Sequence, residues 1–307
     1  MIMRFALMSD IHSNVIALNL VLDEISRVHV DAFVFLGDYI SDGNNDSKVL
    51  DIVSKLGDYI IAGNREKIAE MTFNEEISIN QLPLKWTRES LQEDELQFIK
   101  TLSTSLRLKV HDQEILLLHG DGVLEDKPFR KSFDWLIDNE VFDICIMGHI
   151  HEAFDCSYRG KRFINPGSVG LPADGPGYSY AILDINEENV SVKYYSIDSF
   201  DTYNGLRIEY QNSNYFDKHP VWGTLVLDAI RTGKATNVMF FELLNELRKK
   251  DEGMSYNQLW NTAFLAYRKI VNSSFDLLSN AQIICYEQRF EEEMMIETSP
   301  CLNGKNK

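Results

Sequence analysis

The sequence predicts an α/β protein in which helices cover largely buried, layered sheets, followed by a helical appendage. Three observations carry that expectation. Short apolar runs of β type alternate with segments of helical period through the first half. From residue 152 to 197 the pattern changes to closely spaced strands broken by turn signals. After about residue 199 only helix-period segments follow.

The first strand is expected over residues 4–8, an uninterrupted apolar run after one arginine. Residues 14–28 place Ile16, Leu18, Val21, Leu22 and Ile25 at helical spacing, which predicts a helix with one apolar face. Strand-type runs recur at 32–36, 59–62, 115–118 and 144–147, with helices expected over 47–55, 66–71, 93–102 and 129–139. Strands that are apolar throughout bury both faces, as they do when helices cover a sheet. Arg159-Gly160 and the Gly/Pro-rich stretch from Pro166 to Gly177 punctuate the later strands and predict antiparallel hairpins that finish a second sheet. Helices are expected over 221–231, 238–250 and 256–271, where Phe240, Phe241, Leu244 and Leu247 recur at helical period. The tail over 291–307 is acidic, then polar, and is expected to fray. This organisation predicts a chemistry-bearing domain over 1–199 and a helical appendage with its tail over 200–307.

A chain of 307 residues, 44% hydrophobic and 25% charged, can bury a sizeable core. Its formal charge of −17 repels phosphate backbones on average, so nucleic acid is disfavoured as a partner. The four cysteines (Cys145, Cys156, Cys285 and Cys301) have no C-x-x-C spacing and read as reduced thiols. The N-terminal stretch does not have the form of a signal peptide, and no apolar run approaches the ~18 residues a membrane span needs. A cytoplasmic protein is expected.

The ends of the strands carry the chemistry. The first run leads into Asp10-Ile-His12, the next into Gly37-Asp38, the third into Gly63-Asn64-Arg65-Glu66, a later one into His119-Gly120, and the last into Gly148-His149-Ile150-His151. In an extended chain alternate residues share a face, so each one-residue spacing is expected to aim its pair to one side. Singly, each of these residues has an ordinary structural explanation as a cap, a turn former or a core histidine. Five strands ending in metal-binding side chains point instead to one shared site at their carboxyl ends. His29, His111 and His219 lie in polar or loop contexts and read as structural.

This ordered set resembles the calcineurin-like metallophosphoesterases, whose pattern is D-x-H, G-D, G-N-[H/C/R]-[D/E], H-G and G-H-x-H. The likeness covers roughly residues 1–200, includes Asn165-Pro166-Gly167-Ser168 as the family's loop beyond the last ligands, and is nearest to the compact bacterial and archaeal phosphodiesterase branch. The resemblance implies a layered β-sandwich of metallophosphoesterase type flanked by helices. It also implies a dinuclear centre in which Asp10, His12, Asp38 and His151 hold one divalent ion, and Asp38, Asn64, His119 and His149 the other, with Asp38 bridging. Oxygen and imidazole donors suit transition metals, manganese foremost and iron, nickel, cobalt or zinc as alternatives. The implied activity is hydrolysis of phosphodiester or phosphoanhydride bonds by in-line attack of a metal-bridging hydroxide. Asn64 and Arg65 are the expected catalytic and substrate-binding residues, and the substrate a small phosphorylated molecule of nucleotide type, dinucleoside polyphosphates included.

Two departures qualify the resemblance. Arg65 stands where many members carry histidine; a guanidinium binds phosphate but does not cycle as a general acid at neutral pH, so good leaving groups are expected. Asp42, in Gly37-Asp38-Tyr39-Ile40-Ser41-Asp42-Gly43, stands where serine/threonine phosphatases carry a phosphate-binding arginine. A protein phosphatase is thus the weaker reading, as is a non-catalytic scaffold of the same fold. The amphipathic helices of the appendage fit a lid or a homo-oligomer interface, and the sequence does not choose.

Overall fold

The computed structural model describes residues 2–73, 78–124, 129–251 and 253–271. The chain opens with β1 (Met3–Met8), α1 (Val15–Ile25), β2 (Ala32–Phe35), α2 (Asp46–Leu56) and β3 (Tyr59–Ile60), and the three strands pair in parallel through helical crossovers. Short 3-10 turns at Glu66–Glu70 and Ile79–Gln81 lead to α3 (Leu82–Ser90) and α4 (Glu93–Thr101). Then come β4 (Ser105–Val110), β5 (Gln113–Leu118), α5 (Arg130–Asn139), β6 (Ile144–Ile146), β7 (Ala153–Tyr158), β8 (Lys161–Pro166), β9 (Tyr178–Ile185) and β10 (Val190–Ile197). Five helices close the described chain: α6 (Phe200–Gln211), α7 (Asn214–Lys218), α8 (Pro220–Thr232), α9 (Thr236–Lys250) and α10 (Tyr256–Val271).

The strands form two five-stranded sheets, ordered β10-β9-β1-β2-β3 and β4-β5-β6-β8-β7. Phe5, Leu7, Val34 and Leu183 of the first sheet pack against Ile115, Leu117, Ile144 and Ile164 of the second in one buried cluster. The period of two explains why the strands read as unbroken apolar runs. In β5, Ile115 and Leu117 enter the cluster between the sheets, while Leu116 turns to the other side and meets Phe133 and Leu136 of α5. There Phe133 stacks on Phe163 with ring centroids 4.0 Å apart, a pairing worth ~0.5–1.5 kcal/mol beyond its burial. On α1, Val15, Leu18, Val21 and Ile25 form the buried stripe, and Asn14 caps the helix by accepting from the Ala17 N–H at 3.0 Å.

Two differences from expectation are informative. Of the late hairpins, only β7–β8 finishes the second sheet; β9 pairs antiparallel with β1, with Leu7 opposite Ala181, and brings β10 into the first sheet. Period and turn chemistry mark a hairpin, but the sheet it joins is a long-range choice. The strand β4 and the helices α3, α6 and α7 were not expected, although β4 alternates exposed and half-buried residues in the manner of a one-sided strand.

The described residues divide into two compact units, one up to Thr236 and one from Asn237 onward. The first holds both sheets and α1–α8. In the second, Phe240 of α9 meets Trp260 of α10 edge-on at 4.7 Å, beside buried Leu244 and Leu259. No helix among the described residues is long and apolar enough to cross a membrane. Cys145 and Cys156 are free thiols; Cys285, Cys301 and the tail over 291–307 lie outside the described residues.

Candidate metal centre

Every predicted ligand lies just beyond the end of a strand, and the backbone there is not extended. Asp10, His12, Asp38, His149 and His151 all adopt left-handed φ values, between +47° and +75°. The convergence of Asp10 with His12, and of His149 with His151, therefore comes from tight left-handed turns rather than from strand alternation. Aspartate and histidine tolerate this region better than most non-glycine residues, yet each instance costs on the order of 1–3 kcal/mol and persists only where its surroundings over-determine it. Those surroundings are visible. The loops after β1 and β2 are zipped together: the N–H of Asp10 donates to the carbonyl of Gly37 at 3.0 Å, and those of Ile11 and His12 to the carbonyl of Asp38 at 2.8 and 3.0 Å. Glu66 accepts from the N–H groups of Asp38, Tyr39 and Gly63 at 2.7–2.8 Å, tying the loops after β2 and β3. Ser168 donates from Oγ to the Asp10 carbonyl at 2.7 Å, and Asn165 from its amide to the Gly148 carbonyl at 2.7 Å, so the Asn-Pro-Gly-Ser loop holds the rim from the other sheet.

The rim glycines have two uses. Gly37 has φ +97°, and a side chain there would also meet the Gly63 backbone. At Gly63 the need is space alone, because a Cβ would collide with the Asp38 carboxylate.

All seven predicted ligands come together. His12 Nε2 lies 3.1 Å from His151 Nε2 and 3.7 Å from Asp38 Oδ2; His151 Nε2 is 3.3 Å from Asp10 Oδ1. His119 Nε2 is 3.4 Å from Asp38 Oδ1 and 3.1 Å from Asn64 Oδ1, which in turn lies 3.0 Å from His149 Nδ1. Two groups converge tightly enough for a cation, Asp10 with His12 and His151, and Asp10 with Asp38 and His119, their ligand atoms all within 4.8 Å of one another. The shared residue of these groups is Asp10, while Asp38 stands between His12 and His119.

The donor chemistry fits divalent metals. His119 Nδ1 donates to the Leu36 carbonyl at 2.7 Å and His151 Nδ1 to the Leu171 carbonyl at 2.6 Å, which leaves each Nε2 lone pair turned into the cluster. Metal-binding imidazoles are held in this way by their second nitrogen. Two Nε2 atoms facing each other at 3.1 Å are compatible when a cation or a proton lies between them. Electrostatics agree. Burial opposes charge on Asp38, yet His119, His12 and Arg65 hold its carboxyl well below the usual carboxylate range. Burial likewise opposes charge on His119, yet Asp38 and Asp10 push it up to about 10. Buried carboxylates here attract positive charge strongly enough to overcome desolvation.

Arg65 also reaches this cluster. Its N–H donates to Asp38 Oδ1 at 2.8 Å, and its guanidinium lies 3.2 Å from Asp42 Oδ2, with the side chain 19% exposed. The Trp222 indole N–H donates to Asp42 Oδ1 at 2.7 Å and the Tyr210 hydroxyl to the Asp42 carbonyl at 2.9 Å, and these contacts, like those of Glu66, are not among the sequence expectations. Glu66 stood within the quoted motif, and Asp42 was noted only as a departure; Tyr210 and Trp222 carried no signal. His29, read as structural, pairs with Asp31 at the surface, and His219 packs on Tyr215 with centroids 5.2 Å apart.

These strand ends and this double sheet define a phosphoesterase architecture, and comparison with known proteins agrees. The profile of the calcineurin-like phosphoesterase superfamily domain matches residues 3–188, and the chain belongs to that family. An uncharacterized protein of Methanocaldococcus jannaschii is 24% identical over 234 residues, spanning 69% of this chain and 90% of its own. A probable metallophosphoesterase of Bacillus subtilis is 42% identical over 100 residues, 32% of this chain and 57% of that protein. Among solved structures, a metallophosphoesterase from Sphaerobacter thermophilus superposes over 72% of this chain and 99% of its own, with a TM-score of 0.52 at 22% identity. A hypothetical protein from Pyrococcus horikoshii covers 71% and 97% with a TM-score of 0.55 at 16% identity. These two show the same fold.

Proposed function

We propose that this chain is a metal-dependent phosphodiesterase that hydrolyses small, nucleotide-type phosphodiesters or phosphoanhydrides, with residues 1–199 carrying the chemistry. The observation that carries the reading is the pair of buried carboxylates, Asp10 and Asp38, faced by the Nε2 atoms of His119 and His151, whose Nδ1 atoms are already committed to backbone carbonyls. Asp10, His12, Asp38 and His151 would hold one divalent ion, and Asp38, Asn64, His119 and His149 a second, manganese foremost. The chemistry such ions supply is neutralisation of phosphoryl charge and activation of water for in-line attack at phosphorus.

The protein's own groups do the rest. The Asp38 carboxylate is fixed by the Arg65 N–H and faces both His12 and His119, so it would be available to both ions. Arg65 offers a planar, permanently charged fork for phosphoryl oxygens, and Asn64 is placed beside it. Arginine keeps its proton at neutral pH, so the departing oxygen must leave without a proton from this position. Esters of acidic alcohols and anhydrides should turn over faster than esters of ordinary alcohols. Asp42 places a carboxylate 3.2 Å from Arg65, where a phosphoprotein phosphatase needs a second cation; this supports the diesterase reading over the phosphatase one.

The test is hydrolysis of bis-p-nitrophenyl phosphate with Mn2+, compared with p-nitrophenyl phosphate. Turnover that favours the diester and disappears in Asp38→Asn is the expected result. Absence of turnover with every divalent ion tried would make the chain a scaffold of this fold.

A further inference from the structure

We propose that Asp42 is a positioning residue that sets His12 and Arg65 together, and that Trp222 of α8 holds it in that role. The inference rests on the phosphoesterase reading and extends it to the helices after residue 199, for which the sequence left a lid and an interface both open. Asp42 is 1% exposed; its Oδ1 is hydrogen-bonded, while its Oδ2 lies in ion-pair range of an imidazole and a guanidinium without a well-formed hydrogen bond among the described residues. Oδ2 lies 2.8 Å from His12 Nδ1 and 3.2 Å from the Arg65 guanidinium. Oδ1 accepts from the Trp222 indole N–H at 2.7 Å, and the Asp42 carbonyl accepts from the Tyr210 hydroxyl at 2.9 Å.

A buried carboxylate in an otherwise ordinary turn would be satisfied by nearby backbone N–H groups. This one is instead met by three side chains from the loop after β1, the segment after β3 and α8, the last 180 residues away in sequence. Its backbone is held against preference as well, because Ser41 and Asp42 both adopt left-handed φ, +72° and +67°. The consequence for His12 is specific. With Nδ1 2.8 Å from a carboxylate, Nε2 is the nitrogen left to face Asp38 and His151, and a carboxylate at the second nitrogen fixes the orientation of the ring. The consequence for Arg65 is different. One edge of the guanidinium is drawn to Asp42, while its Nε makes no hydrogen bond among the described residues, so the same contact fixes the angle at which the fork meets a phosphoryl group.

Asp42→Asn keeps the shape and removes the charge. Calorimetry on the metal-free protein should show Mn2+ bound ~10–100-fold more weakly, the usual loss when the partner of a metal-binding imidazole is removed. At saturating Mn2+ the remaining defect should be a several-fold rise in KM for bis-p-nitrophenyl phosphate. That rise should vanish in an Arg65→Ala background while the loss of Mn2+ affinity persists. A merely structural role would lower kcat through the folded fraction and leave KM and the double-mutant cycle unchanged. Trp222→Phe, which deletes one N–H and keeps an aromatic ring, should move both quantities in the same direction by less, and it decides the matter if Asp42→Asn does not fold. Variants that match wild type within about two-fold in Mn2+ affinity and in KM overturn the proposal while leaving the phosphoesterase reading intact. A wild-type protein that neither binds Mn2+ nor turns over the ester overturns the underlying reading itself.

Discussion

The rim of the first sheet and the rim of the second are chemically different. The ends of β1, β2 and β3 deliver Asp10, Asp38 and Asn64, with His12 as the one imidazole; the ends of β5 and β6 deliver His119, His149 and His151. Neither rim suffices alone. Burial opposes charge on Asp10 and the neighbouring Asp38 adds to that, but His151 and His119 reach across and hold Asp10 below its ordinary value. Asp46 shows what a buried carboxylate does without such imidazoles. Its partners are the Ser41 N–H at 2.8 Å and the Ser13 side chain, and burial pushes it up to about 7. The site is therefore a property of the packed pair of sheets, and its charge balance is set where they meet.

Breaking the contrast at its centre should have the largest effect. Asp10→Asn removes the carboxylate common to both convergent groups, and kcat/KM should fall by more than ~100-fold, the upper end for groups that only support a ligand. A loss below ten-fold would place the reacting groups elsewhere. Gly63→Ala crowds the two rims without changing a charge. Its Cβ would collide with the Asp38 carboxylate and lie 3.0 Å from the His119 ring, so stability should fall by about 1–3 kcal/mol in denaturant melts, and Mn2+ affinity with it. Unchanged melting and unchanged affinity together would mean that the loops after β2 and β3 are looser than they look.

The smallest effect is the most diagnostic of charge. The folded-state pKa of Asp46, about 7, lies above the ~3.9 of an unfolded aspartate, so the folded protein binds the additional proton. The associated stability is whole below about pH 4 and is lost as the pH rises through 7. Asp46→Asn mimics the protonated form, and its gain in Tm over wild type should be larger at pH 8 than at pH 5, by ~3 °C or more. An equal difference at both pH values would show that this carboxylate is not desolvated as its burial implies.

Much of this was legible in the sequence because burial is periodic and ligand chemistry is compositional. The apolar runs ending in Asp10, Asp38, Asn64, His119 and His149 marked both the strands and the rim. Local pattern could not show that the ligand turns are left-handed, since Asp10-x-His12 reads equally well as an extended pair. Nor could it assign the β9–β10 hairpin to the first sheet, or join Trp222 to Asp42. Those are pairings between residues far apart in the chain, decided by which surfaces remain to be buried once the sheets have formed.

The most direct test of a cation site shared between the two rims is the stoichiometry of Mn2+ bound to the folded chain, by equilibrium dialysis, with the electron paramagnetic resonance spectrum recorded on the same sample. Two ions per chain with a spin-coupled spectrum, falling to one or none in Asp38→Asn, is the expected result. A folded wild-type chain that retains less than one Mn2+ at millimolar concentration, or two ions that give uncoupled signals and are indifferent to Asp38, would contradict it.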